Sequence, residues 1–250
     1  MFGPDTDTEV LIVGARQKAE YLSVYDMSEE RIHLLPPNVD REAFCPENHP
    51  TARLDILAEF AIPEDALVLL MVCSRFRTKG FDRAVEALAG LSGDLRSRTH
   101  LLVVGGDKPA PYMGRIRNAG LEEQIHFAGG RPDVASFCCA ADLLVHPARM
   151  ENTGTVLLEA MVAGLPVLSS GVPGYATHIQ DADAGRVLSE PFEQGAFAQA
   201  LTAMLASDDD RRRWSQNAQD YCSTADIGGR YEAAAEIIEA RAKRNKAATA

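Results

Sequence analysis

Asp142-Leu143-Leu144-Val145-His146, followed after two residues by Arg149-Met150-Glu151-Asn152-Thr153-Gly154-Thr155 and the apolar run Val156-Leu157-Leu158-Glu159-Ala160-Met161-Val162-Ala163, decides the reading of this chain. The first five residues have the composition of a buried strand, and Thr155 to Ala163 has the apolar spacing of a helix packed on a sheet. The segment between them is therefore a strand-to-helix turn. The first N–H groups of such a helix have no internal acceptor and lie at the positive end of its dipole, so they can receive a phosphate. Gly154, lacking a Cβ, lets a ligand approach the backbone. Glu159 lies roughly 8 Å further along the helix. A carboxylate there would repel phosphate and is better suited to accepting hydrogen bonds from paired hydroxyls, as on a ribose. Glu151, on the loop side, could do the same for a second sugar across a diphosphate. A single glutamate is ordinarily a solvated surface charge, so the assignment needs a second element.

That element is Val68-Leu69-Leu70-Met71-Val72-Cys73, an apolar run suited to a buried parallel strand, which ends at Ser74-Arg75-Phe76-Arg77-Thr78-Lys79-Gly80. Phe81, Ala84, Val85, Leu88 and Leu91 then repeat at helical spacing. Arg75 and Lys79 thus follow the carboxyl end of a strand, the edge at which open parallel sheets bind ligands. Arginine offers a fork of donors to phosphate oxygens and lysine a mobile point charge. Arg77 falls one residue out of phase with both.

The alternation continues through His100–Val104, Ile125–Phe127, Asp142–His146 and Pro166–Ser169, read as successive strands with helices between them, and Val187-Leu188 adds a short strand. This predicts an α/β fold with a doubly wound, Rossmann-like parallel sheet. Helices are expected near Gln194–Ala206, Asp210–Cys222 and Tyr231–Ala242, and Gly120-Leu121 and Gly185-Arg186 read as helix stops. Ala234, Ile237 and Ile238 form the apolar face of the last helix, and the tail after Arg241 is biased enough in composition to be disordered.

The combination of Ser-Arg-Phe-x-x-Lys-Gly at 74–80, Val103-Val104-Gly105-Gly106-Asp107-Lys108-Pro109, and Glu-x7-Glu followed by Ala-Gly-Leu-Pro-Val resembles the retaining GT-B glycosyltransferases (glycosyltransferase family 4). Gly129-Gly130-Arg131-Pro132-Asp133-Val134, residues 141–148 and Val172-Pro173-Gly174-Tyr175 look most like the bacterial lipopolysaccharide core enzymes that add glucose from UDP-glucose to a heptose. The resemblance runs from about Val10 to about Ile238. It implies that Glu159 binds the ribose, that Glu151 touches the donor sugar, and that Arg75 and Lys79 neutralise the departing diphosphate. Asn152, Thr153, Gly154 and Thr155 would complete the cradle, Gly105 would let its loop pass the donor, and Arg131 would lie against the uracil. No metal or other cofactor is implied beyond the nucleotide sugar. Asn152 and Thr153 depart from the small residues expected there, which leaves the sugar's identity open.

The same resemblance implies two Rossmann-like domains in a longer protein, with the acceptor held by the first. Residues 1–40 are expected to be the end of an amino-terminal domain and a linker at Pro36–Asp40, residues 41–228 the nucleotide-sugar domain and C-terminal half of the GT-B fold, and 229–250 a cross-over helix and tail. A truncated reading frame or fragment is the expectation. Two other readings stay open: a non-catalytic nucleotide-sugar-binding module, and a GT-B-fold nucleotide-sugar epimerase.

Composition sets the remaining bounds. A formal net charge of -11 argues against nucleic acid and against a general pull to anionic lipid. No apolar stretch reaches the length of a membrane span, and the Met1 end lacks the pattern of a signal peptide, so a cytoplasmic protein is expected. Peripheral attachment at the inner membrane, where a glycolipid or oligosaccharide acceptor would lie, stays open. Arg211-Arg212-Arg213 reads as a solvated helix face. The 5 cysteines are odd in number and contain no Cys-x-x-Cys, indicating neither a disulfide framework nor a zinc site; Cys73 reads as core strand and one of Cys138 and Cys139 as buried. Asp208-Asp209-Asp210 lies between two helices, where aspartate caps a helix, and is not read as a metal motif. His146 stands open between a site residue and a satisfied core histidine, and His178 reads as facing solvent.

Overall fold

A computed structural model describes residue 3 and residues 6–248. The chain divides into two compact units, one formed by residues 41–224 and the other by residues 1–40 with 225–250. The smaller unit holds β1 (Val10–Ile12), α1 (Ala15–Tyr25) and β2 (Ile32–Leu34), with β1 and β2 parallel and Ile12, Met27 and Ile32 buried together.

The larger unit alternates helix and strand: α2 (Ala52–Glu59), β3 (Leu67–Val72), α3 (Phe76–Lys79), α4 (Phe81–Ala89), α5 (Gly93–Ser97), β4 (Thr99–Val104), α6 (Met113–Ala119), β5 (Ile125–Gly129), α7 (Val134–Ala140), β6 (Leu143–His146), α8 (Thr155–Val162), β7 (Val167–Ser170), α9 (Ala176–Asp181), β8 (Gly185–Leu188), α10 (Gln194–Ala206) and α11 (Asp208–Thr224). The sheet is wholly parallel in the order β5-β4-β3-β6-β7-β8. The chain winds outward from β3 to β5, returns to the centre at β6, and winds out the other way. The expected doubly wound sheet is thus present, and its switch point lies between β3 and β6.

Both central strands are covered on both faces, which is why they read as continuous apolar runs rather than alternating ones. Val68 to Met71 and Leu143 to Val145 are almost wholly buried. Each such aliphatic side chain contributes about 1.5–3 kcal/mol on transfer from water. On α4 the predicted spacing is realised: Phe81, Ala84, Val85 and Leu88 are buried. Phe76, Phe81, Phe127 and Tyr112 form an aromatic cluster, with the Phe76 ring 5.0 Å from Phe81 and 5.8 Å from Phe127.

Several expectations need correction. Gly185 opens β8 instead of ending a helix: a Cβ there would lie 2.0 Å from the Val167 carbonyl oxygen, so glycine permits the strand pairing. Asp208, Asp209 and Asp210 occupy the first turn of α11 and pair with Arg211, Arg212 and Arg213, while the Ser207 hydroxyl accepts from the Asp210 N–H. Arg211 is no solvated side chain either, since it donates to the Met204 and Leu205 carbonyls at the end of α10. His178 is half-buried and shares a 2.7 Å hydrogen bond with the Tyr221 hydroxyl. Cys73 is buried just beyond β3, and on α7 Cys138 is buried while Cys139 is partly exposed. The last helix, α12 (Arg230–Ala248), continues through the tail expected to be disordered; the final two residues lie outside those described. Arg241 and Arg244 bond Glu9, which explains why this charged stretch is ordered within the smaller unit. Ile238 of α12 is exposed, and Ala234 and Ile237 are partly covered.

One contact fixes the loops at the switch point. Gly80 has φ +77°, and a Cβ would lie 2.0 Å from the Pro147 carbonyl oxygen. Gly80→Ala is expected to cost about 3 kcal/mol from combined strain and overpacking. Urea unfolding of the variant against the parent chain checks this, and an unchanged midpoint would contradict it.

Candidate functional site

A cavity of about 440 Å³ opens at the carboxyl edge of the sheet over the switch point. Residues following four strands line it: Cys73, Ser74 and Lys79 after β3, Gly105 and Gly106 after β4, Gly130 and Arg131 after β5, and Glu151 with Thr153 to Val156 after β6. The return of the chain from one flank of the sheet to the other creates this crevice, because the loops after β3 and β6 leave toward opposite faces.

On the β6 side the loop ends at Gly154, whose φ of +79° favours glycine, and α8 begins at Thr155. A Cβ on Gly154 would lie 2.9 Å from Pro173 Cβ and 3.4 Å from Glu151 Cγ, so glycine also clears room for the neighbouring loop and for Glu151. The backbone before it is held from the loop after β7: Gly174 N–H donates to the Asn152 carbonyl at 2.9 Å and Tyr175 N–H to the Thr153 carbonyl at 2.8 Å. Thr155 and Val156 therefore present the opening turn of α8 to the cavity, where helix N–H groups lack helical acceptors.

On the β3 side, Lys79 ends α3 and reaches across to Glu151, whose Oε2 accepts from its ammonium group. Both side chains are mostly buried, with 19% and 13% of their surface exposed. The same Oε2 lies 3.3 Å from His146 Nε2, and Oε1 accepts from the Asn152 N–H at 3.1 Å. Burial opposes ionisation of Glu151, but the bonds from His146 and Lys79 outweigh it and hold the carboxyl down at about 2. The pair was not legible as a pair: sequence reading sent Lys79 to a diphosphate and Glu151 to a sugar, and the two side chains bond to one another.

Glu159 behaves oppositely. It sits one turn beyond Thr155 on the same helical face, does not itself line the cavity, and burial pushes its carboxyl above the ordinary value. Arg75 is exposed at the start of α3 and Asn152 is exposed on its loop; neither lines the cavity. Arg131 does line it, but its guanidinium is held by Asp133 and Glu59, with Nη1 at 2.5 Å from Glu59 Oε1. Those carboxylates hold its charge firmly and leave it as a fixed wall. Gly105 serves packing first, since a Cβ would fall 1.7 Å from the Cys73 carbonyl oxygen.

Two contributors lacked a decisive signal in the sequence. Asp107, from the loop after β4, accepts from the Phe76 N–H at 2.8 Å and so caps α3 from another strand's loop; that bond and the Lys108 N–H hold its carboxyl down. His146, which the sequence leaves open between site and core, is 1% exposed and borders the cavity.

Comparison with known proteins gives a consistent picture. A family model described as glycosyl transferases group 1 matches residues 53–221. Lipopolysaccharide glucosyltransferase WaaG of Escherichia coli K12 is 40% identical over 237 residues, covering 95% of this chain and 63% of its own length. A D-inositol 3-phosphate glycosyltransferase of Xylanimonas cellulosilytica is 30% identical, covering 96% and 58%. The crystal structure of WaaG, a glycosyltransferase involved in lipopolysaccharide biosynthesis, superposes with a TM-score of 0.89, covering 95% of this chain and 64% of that one. Anabaena Alr3699/HepE in complex with UDP and glucose, 19% identical, shares the fold with a TM-score of 0.81, covering 93% and 63%. The chain thus spans somewhat under two thirds of the length of the curated relatives it matches.

The Glu151 arrangement has a pH signature. A carboxyl held at about 2 against an ordinary 4.5 adds stability that is full above 4.5 and lost as pH falls toward 2. Glu151→Gln should therefore cost on the order of 3 kcal/mol at pH 7 and progressively less below pH ~4.5. Urea unfolding of both proteins at pH 7 and pH 3 measures the difference, and a cost independent of pH would refute the assignment.

Proposed function

Because this chain belongs to the glycosyl transferases of group 1, we propose that its cavity binds a nucleotide-sugar donor, UDP-glucose, and that the complete enzyme transfers the hexose with retention to a sugar of a lipopolysaccharide core. The observation that carries the reading is the convergence of Lys79 and the start of α8 on one crevice at the switch point. These are two sources of positive charge lining one cavity, which suits a diphosphate. A helix start favours anions by typically 0.3–1 kcal/mol at exposed sites and more in partly buried geometry.

In this mechanism the diphosphate sits between Lys79 and the amides of Thr155 and Val156, and charge that develops on departing UDP is stabilised there. Arg75, exposed at the start of α3, adds a second cation once the donor is bound. Glu159, one turn up the helix, accepts the ribose hydroxyls; a half-buried carboxylate that burial has raised gains from such donors. Glu151 orients the donor sugar, and Arg131 borders the base. The acceptor hydroxyl attacks from the face that UDP leaves, which retains the anomeric configuration. Donor binding is proposed to be metal-independent, the lysine and the helix supplying the positive charge. No helix among the described residues is long and apolar enough to cross a membrane; for a glycolipid acceptor we propose a cytoplasmic protein with peripheral contact at the inner membrane.

Calorimetric titration of this chain with UDP-glucose tests the donor site. Binding is expected, and Glu159→Ala and Lys79→Ala should each weaken it about tenfold or more, the value of one charge-assisted hydrogen bond. Glu159→Ala should at the same time raise the unfolding temperature of the ligand-free chain at pH 7, because it removes a carboxylate that burial disfavours. A folded parent chain that takes up no donor would overturn the proposal.

A further inference from the structure

We propose that His146 is a positioning residue: donating from Nε2, it holds the Glu151 carboxylate in place for the donor sugar when Lys79 turns from that carboxylate to the diphosphate. The inference rests on the donor-site reading above and assigns a role to a side chain that reading does not use.

The geometry begins with the support of the imidazole. His146 is the last residue of β6, and the Ser169 hydroxyl, buried on the adjacent strand β7, lies 3.3 Å from its carbonyl oxygen. The next carbonyls are fixed as well, Pro147 by Arg83 at 3.1 Å and Ala148 by the Ser170 hydroxyl at 3.0 Å. The ring therefore projects from a backbone segment held on three consecutive residues. Its Nε2 meets Glu151 Oε2 at 3.3 Å.

Nδ1 is buried and has no hydrogen-bond partner among the described residues. Glu151 Oε2 is an acceptor, so the proton of their bond lies on Nε2. The histidine thus acts as a hydrogen-bond donor to the carboxylate.

Its value appears when the donor binds. Lys79 ends a flexible stem and faces one carboxylate, and a diphosphate brings more negative charge to the same crevice. As the ammonium moves toward the phosphates, Glu151 keeps the Asn152 N–H on Oε1 and, among the described residues, His146 on Oε2. A largely buried carboxylate stripped of that donor would turn toward water or take up a proton, and in either case leave the sugar. His146 cannot follow, since its ring is packed and its backbone is tied.

The test is a calorimetric comparison of UDP and UDP-glucose on the full chain, in the parent, His146→Leu and His146→Gln. Because Glu151 faces the sugar and not the nucleotide, the quantity read is the gain in affinity that glucose adds to UDP. His146→Leu is expected to reduce that gain about tenfold while UDP alone binds within about twofold of the parent. His146→Gln, whose amide can donate from near the Nε2 position, should recover most of it. A gain unchanged in His146→Leu overturns the proposal, as does an equal loss for UDP and UDP-glucose, or a glutamine variant as impaired as leucine. A parent chain that binds UDP but gains nothing from glucose overturns it while the nucleotide site stands. A parent that binds neither ligand removes the donor-site reading itself, and this inference with it.

Discussion

The Pro147 carbonyl ties the two walls of the crevice together. Gly80, at the end of the β3 loop, approaches it at a distance no other residue type allows, and Arg83 from α4 donates to it and to the Ala148 carbonyl. Beside this contact the Arg149 N–H donates to the Thr78 carbonyl at 2.8 Å, and the Arg149 guanidinium reaches Asp82 at 2.6 Å. The loop after β3 and the loop after β6 are thereby stitched over several residues, although about 70 positions separate them in the chain. Lys79 and Glu151 meet because their neighbours are joined in this way. Without the stitch the two charges would sit on independent loops, and the entropy of ordering two long side chains would leave little net attraction.

Within this frame burial acts on two carboxyl groups with opposite net results. Glu151 is held ionised by three donors, while Glu159, eight residues on, meets desolvation that raises it, with no side-chain hydrogen bond among the described residues. The difference is one of place: Glu151 lies on a loop whose neighbours can reach it from two strands, and Glu159 on a helix packed against α7, beside the buried Cys138. Burial works against the ionised form of Glu159, and the proposed ribose contact would supply that carboxylate with donors. Functional sites commonly carry such locally unfavourable groups.

The parallel sheet was legible because buried strands leave continuous apolar runs, and the start of α8 because glycine and the apolar spacing after it mark a helix. Strand order was less so. Nothing in residues 142–146 says that they lie beside β3 and not beyond β5, yet that placement creates the crevice. Side-chain partnerships across long separations were hidden for the same reason. Arg131 carries no mark of its capture by Glu59, nor Asp107 of its cap on α3. The last helix shows the limit from the other direction: Arg241 and Arg244 read as a solvated, charged tail until Glu9, more than 230 positions away, is placed beside them. Local composition reports burial and backbone preference; it does not report which loop will supply the counter-charge.

If the proposed donor site holds, the pairing of Lys79 with Glu151 also shapes the energetics of binding. A lysine that enters the complex from water would gain the full attraction of the diphosphate less its own desolvation. Here the desolvation has already been met in folding, and the lysine exchanges one anion for another in the same low-dielectric crevice. The net gain is then the difference between a diphosphate and a carboxylate, smaller than the full attraction but obtained without ordering a free side chain. What must be supplied at that moment is a replacement for the carboxylate's lost partner, and His146, whose backbone is tied to β7, lies within hydrogen-bond distance of Glu151 Oε2 to supply it.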